Sequence, residues 1–120
     1  MASLAFMAPL LPNGRERLQG LAATLAGPRL AESAALHRRL GVSVERWYLQ
    51  TTAQGDVVIV YLEGRDLSLA FQTLARSRAR FDVWFKTQAR AAHGIDFGEP
   101  PRAPLPTQLY RWSAATQEEA

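Results

Sequence analysis

His37 and His93 are the only histidines in a chain that contains no cysteine. Histidine is the side chain best suited to moving a proton near neutral pH, and a common metal ligand. Leu30, Ser33, Ala34, His37 and Leu40 recur at helical spacing, so His37 falls in the middle of an apolar arc with Ser33 alongside. Glu32, Arg38 and Arg39 take the other side. Facing a sheet, His37 could act as a catalytic base, hold a metal or haem, or pack with one satisfied hydrogen bond. His93 immediately precedes Gly94, at a helix end where the dipole favours an imidazolium. Capping and pocket lining are both open to it. The two histidines lie on different elements and offer no paired ligand spacing, so no metal site is predicted. No cofactor is predicted either, although a single axial histidine leaves haem open.

The carboxylates that could take part in proton transfer are Glu45 and Glu63, each beside an apolar strand. A buried carboxylate needs a partner or a raised pKa. The same residues, with Arg46 and Asp56, would serve equally as solvated strand ends or inter-subunit ion pairs. Trp47, Tyr48, Tyr61 and Trp84 join His93 as pocket-lining candidates. Aromatic side chains of this size also suit a core or a dimer interface, and Phe85 and Trp112 share that ambiguity. No G-x-S-x-G elbow, phosphate loop or dinucleotide fingerprint is present.

These residues need elements to position them. A chain of 120 residues is expected to form one domain, with 48% apolar and 21% charged residues in the ordinary globular range. Residues 1–115 are read as that domain and residues 116–120 as a loose acidic tail. The strand Val57–Leu62 reads Val-Val-Ile-Val-Tyr-Leu, apolar on both of its faces. Helices can cover one face, and a second subunit is a candidate for the other. Ser3–Ala8 is apolar on both sides too and reads as the first strand. Leu18, Leu21, Ala22 and Leu25 mark a helix that Gly27-Pro28 breaks, and Gly41 ends the next one. Val42–Thr51 alternates Val44, Arg46 and Tyr48 with Glu45, Trp47 and Leu49. The turn Ala53-Gln54-Gly55-Asp56 then makes a hairpin with the strand after it. Asp66 is placed to cap a helix carrying Leu67, Ala70, Phe71 and Leu74. Asp82 lies in the first turn of a last helix, which Gly94 ends. Gln108–Trp112, beyond a proline-rich connection, is read as a short fourth strand. The order β-α-β-β-α-β predicts a ferredoxin-like α+β domain with a four-stranded antiparallel sheet and helices on one face.

The net charge is +3, carried almost entirely by arginine. Arg76, Arg78 and Arg80 look clustered, but residues two apart on a helix lie about 200° round from each other. No nucleic-acid partner is expected from such a pattern. No run is long enough for a membrane span, and the apolar Met1–Leu11 stretch lacks the basic start of a signal segment. The cytoplasm is the expected location.

Several short segments carry a resemblance: Pro12-Asn13-Gly14-Arg15-Glu16, Leu40-Gly41, Glu45-Arg46-Trp47, Gly55-Asp56, Leu62-Glu63-Gly64 with Asp66, and Ser77 followed by Phe81-Asp82-Val83-Trp84-Phe85. Over Leu4 to about Asp96 the chain resembles the dimeric α+β barrel superfamily, and within it an uncharacterised family of small bacterial proteins. The resemblance implies a homodimer in which two sheets pack face to face. It also implies a pocket between sheet and helices suited to a small apolar or aromatic molecule. Relatives of that kind include cofactor-free monooxygenases, isomerases, haem-degrading enzymes and stress-responsive proteins. Fold alone does not choose among these roles. No family catalytic residue matches residue by residue, so His37 is the candidate base on its own sequence context. A cofactor-free monooxygenase or isomerase, a non-catalytic binding or stress-responsive dimer, and a haem-binding protein are the expectations carried forward.

Overall fold

β3 (Gly55–Gly64) is the central strand of a three-stranded antiparallel sheet in the order β1-β3-β2. The computed structural model describes residues 1–115. β1 (Ala2–Pro9) pairs along one side of β3, from Ala2 opposite Gly64 to Pro9 opposite Val57. β2 (Val42–Thr52) pairs along the other, joined to β3 by the two-residue turn Ala53-Gln54. Thr52 fastens that turn, its hydroxyl donating to the Gly55 carbonyl and accepting the Gln54 N–H.

Among the described residues four helices accompany the sheet: α1 (Gly14–Ala26), α2 (Leu30–Leu40), α3 (Leu67–Arg76) and α4 (Arg80–His93). They pack on one face of the sheet. Leu4 and Ala8 of β1 and Val58, Val60 and Leu62 of β3 meet Leu18, Leu67, Ala70 and Ala92 there. A second cluster joins Leu21, Leu36, Leu74, Phe81 and Phe85 between the helices themselves. Each fully buried side chain of this size stabilises the fold by about 1.5–3 kcal/mol. Gly41 ends α2 in the left-handed region at φ 70°, as its place in the sequence predicts. Gly14 has a different reason to be glycine: a Cβ there would lie 2.3 Å from the Ala92 carbonyl oxygen, where the start of α1 meets the end of α4. Asp66 caps α3 by accepting the Leu69 N–H at 3.0 Å.

Asp82, in the first turn of α4, ties three helices. Its carboxylate is fully buried and accepts two bonds from Arg39 of α2, at 2.7 and 2.9 Å, and one from the Ser77 hydroxyl. Lys86, one turn further on, donates to the carbonyls of Leu74, Ala75 and Ser77 where α3 ends.

The expected fourth strand is not there, and the ferredoxin-like βαββαβ reading is corrected accordingly: among the described residues the sheet has three strands, in the order β1-β3-β2, and four helices accompany it. Gln108–Trp112 is extended but unpaired, and its described tie to the sheet is one bond from the Gln108 amide to the Ser3 hydroxyl. A strand is held by burying at least one face. Here Leu109 is 96% and Tyr110 79% exposed, although they point to opposite sides of an extended chain. With neither side chain buried, the segment lacks the packing that would hold it in the sheet. The acidic tail expected at 116–120 lies outside the described residues.

Among the described residues α1 to α4 leave the second face of the sheet uncovered. Ala5 and Met7, Val57, Ile59 and Tyr61, and Arg46 and Tyr48 make up most of it, with Met7 65% and Tyr48 53% exposed. Among the described residues no helix is long and apolar enough to cross a membrane.

Candidate functional site

A β-bulge decides which side chains of β2 reach the interior. Val42 pairs with Gly64 and Val44 with Glu63, so two steps on β2 match one on β3 and Ser43 is the extra residue. Strict alternation from the buried Val42 would send Val44, Arg46 and Tyr48 inward. The bulge reverses the parity, and Glu45, Trp47 and Leu49 face the helices instead.

Glu45 thereby meets His37. The His37 Nε2 lies 2.7 Å from Glu45 Oε1, and its Nδ1 lies 2.7 Å from the Ser33 carbonyl oxygen one turn back on α2. The other carboxylate oxygen of Glu45 accepts the Trp47 indole N–H at 2.7 Å. Both ring nitrogens of His37 thus face acceptors, an arrangement that calls for two N–H donors. The hydrogen bond to Glu45 is the main cause that holds the His37 pKa above its ordinary value of 6.5; partial burial opposes it, and the Glu45 charge and the Ser33 carbonyl add to it. The geometry therefore favours the doubly protonated ring of His37, donating to Glu45 and to the Ser33 carbonyl.

This pair forms the polar wall of an otherwise apolar cavity of about 70 Å³ between the sheet and the helices. Val58 and Val60 supply its sheet side, and Leu21, Leu36 and Phe85 part of its helix side. The volume is about half the 150 Å³ of an engineered apolar cavity that holds benzene. On the outer side of His37, Glu45 and Trp47 is a surface depression shared with Ala22, Leu25 and Ala26. The pair therefore separates the cavity from solvent at one end. At another, Phe6, Phe71 and Phe97 stand between the cavity and an outer cleft walled by the proline-rich segment Pro100–Pro106. Their ring centroids are 6.0–6.4 Å apart.

His93 lines the cavity as well. Its Nδ1 accepts the Ile95 N–H at 3.1 Å, and burial pushes its pKa below 6.5. Of the other aromatic candidates, Trp47 lines the cavity. Tyr48 and Tyr61 lie on the opposite, uncovered face of the sheet. Tyr61 donates to Glu63 there at 2.8 Å. Trp84 sits on α4 under the Arg29 guanidinium, 4.3 Å from its ring centre, in a cation–π contact that joins α2's start to α4. Phe97 is the wall residue that sequence reasoning missed. It lies past Gly94, outside any periodic segment, and only its type as a large apolar residue marks it. No cluster of three or more His, Asp or Glu side chains suited to a metal ion occurs among the described residues.

Set against protein-family models, curated proteins and solved structures, the chain matches none of them.

Proposed function

We propose that this protein is a homodimer that holds a small apolar molecule in the cavity between sheet and helices and moves a proton on it. The observation that carries this reading is the placement of an ion-paired histidine and glutamate as the polar wall of an otherwise apolar cavity. Abstraction of a proton from carbon is the step shared by isomerisation and by cofactor-free oxygenation, the two activities that the resemblance to dimeric α+β barrels brings forward. Glu45 is better suited than His37 to be the base. Each His37 nitrogen already points at an acceptor, whereas each Glu45 oxygen accepts one bond and keeps a second lone pair. His37 and Trp47 each donate to one Glu45 oxygen and so fix its orientation at the cavity wall.

The dimer is supported by the helix-free face of the sheet. A row of Met7, Ile59 and Tyr48 crosses its centre, and an exposed apolar patch of this kind suits burial against a partner. Arg46 and Glu63 lie on the same face, so a two-fold axis can set the cation of each copy against the carboxylate of the other.

A non-catalytic binding or stress-responsive dimer is the second reading, and the small cavity favours it, since 70 Å³ leaves little room for a substrate unless a wall moves. Haem does not fit these residues. Both His37 nitrogens are engaged, and the space beside His93 is far smaller than a macrocycle.

Native mass spectrometry of the purified chain tests the proposal. A dimer carrying a reproducible small extra mass is expected, and Tyr48→Asp should shift it to monomer by placing a charge in the apolar row. A ligand-free monomer would overturn both the assembly and the occupied cavity.

A further inference from the structure

His93 has only half of its hydrogen-bonding capacity satisfied. Because Nδ1 accepts the Ile95 N–H, the ring proton sits on Nε2. Protonating Nδ1 as well would set two N–H groups against each other, and burial independently keeps the ring neutral. Nε2–H is thus a donor of fixed tautomer. The residue is only 9% exposed. Among the described residues Nε2 has no acceptor, yet no fully enclosed side-chain nitrogen or oxygen lacks a partner. Nε2 therefore keeps some accessible surface, and His93 lines the cavity but neither of the two outer depressions described above. The similarly buried Ser33 hydroxyl differs in this respect. It also borders the depression beside Ala22 and Leu25, where water can partner it.

We propose that His93 Nε2–H is the recognition donor of the cavity, and that the molecule held there is small, uncharged and apolar apart from a carbonyl oxygen that accepts this bond. The inference rests on the reading of the cavity as a ligand site and names the ligand's class. A carboxylate would enter with no free cation to meet it, because His37 is already neutralised by Glu45. A hydroxyl would bring a donor of its own into an apolar space. A carbonyl needs only the one donor. It also completes the proton chemistry. When the Glu45 carboxylate takes a hydrogen from the carbon next to the carbonyl, the C–H electron pair becomes part of a C=C bond. The carbonyl π pair moves onto oxygen, giving an enolate that His93 Nε2–H stabilises. The proton returns from Glu45 to carbon, and no co-reactant is consumed.

Butanone and 2-methylbut-1-ene test this, since they differ by exchange of C=O for C=CH2 at nearly equal size. Both are titrated into the full chain by ligand-detected NMR, with the His93 Nε2–H resonance followed in parallel. Butanone is expected to bind about fivefold more tightly than the alkene, the worth of one net hydrogen bond, and to move the Nε2–H resonance downfield. The alkene should leave that resonance in place, and His93→Phe should equalise the two affinities. Equal affinities in the unaltered chain, or an unmoved Nε2–H on butanone binding, would overturn the carbonyl assignment while leaving a ligand cavity. Failure of both probes to bind would remove the ligand cavity itself, and the assignment with it. The Nε2–H signal is read in the unaltered chain, so a poorly folded His93→Phe does not decide the outcome.

Discussion

His37 and Arg39 lie two residues apart on the last turns of α2, and each pairs with a carboxylate from another element. The pairs are built to opposite ends. Asp82 is fully enclosed and takes three bonds, two of them from an arginine that does not titrate in any ordinary range. Glu45 takes one bond on each oxygen, borders a cavity, and faces a partner that does titrate. The first pair fixes where α2, the end of α3 and the start of α4 meet. The second has unused lone pairs at an apolar space. A saturated carboxylate holds structure, whereas an incompletely saturated one beside a cavity can take part in chemistry.

The largest effect that separates them is on stability. Asp82→Ala should lower unfolding free energy by about 3 kcal/mol in urea, because it strips the bonds that join three helix ends. The figure sits at the low end for a buried pair, since Arg39 is half exposed and can turn to water. A loss under about 1 kcal/mol would mean that Asp82 is no keystone, and the contrast between the pairs would collapse.

Much of this arrangement can be read along the chain, but the pairings themselves cannot. The two-faced apolar strand, the hairpin, the Asp66 cap and the helix ends at Gly41 and Gly94 all rest on neighbouring residues, and the structure has each of them. Asp82 could be placed at a helix start from local pattern alone. That Arg39, 43 residues earlier, reaches it depends on how α2 crosses α4. His37 and Glu45 were each visible as candidates, but their meeting depends on the register in which β2 pairs with β3 beyond Ser43, and no residue type there announces it. The fourth strand failed for a related reason. The residue types of Gln108–Trp112 are a local property, whereas a strand also needs a surface to bury against. Tyr48 and Tyr61 miss the cavity because the parity of β2 and β3 turns them to the other face.

The pairs also part in their response to pH. The carboxyl of Asp82 is held below its usual 3.8, chiefly by the bond from Arg39. A lowered acid contributes stability that is present above its unfolded pKa and lost only as pH falls through the lower folded value. His37 is raised above 6.5, so its contribution is complete below 6.5 and fades as pH rises through the folded value. His93 is lowered, so it costs stability below 6.5, the opposite sense to His37. Glu45→Gln keeps an acceptor for Trp47 but removes the charge that favours the imidazolium. It should cost about 1 kcal/mol at pH 6, less above the folded His37 pKa, and bring the His37 titration measured by NMR down toward 6.5. The Asp82→Ala deficit should stay level over the same range. Parallel pH dependence of the two deficits would contradict the distinction drawn between a fixed and a titrating pair.

The smallest effect tests whether the cavity pair depends on the bulge itself or only on the pairing beyond it. From Val44 opposite Glu63 onward, β2 runs in regular register with β3: Glu45 faces Leu62 and Trp47 faces Val60. Deleting Ser43 would bring Val42 and Val44 into direct succession. Regular alternation would then turn Val42 inward, Val44 outward and Glu45 inward again, which is the parity that the structure already has. The bulge absorbs one surplus residue, and the side chains beyond it keep their faces without it. What the deletion forfeits is the Ser43 hydroxyl bond to the Glu63 carbonyl at 3.2 Å and the relaxed connection out of Gly41. Unfolding free energy should fall by about 0.5–1 kcal/mol, and the raised His37 titration should survive. Collapse of that titration to an ordinary histidine value, with the fold intact, would show that the extra residue positions Glu45 actively. An insertion next to Ser43 would then be the change to which the His37–Glu45 pair is most sensitive, while Arg39 and Asp82 remained joined in either variant.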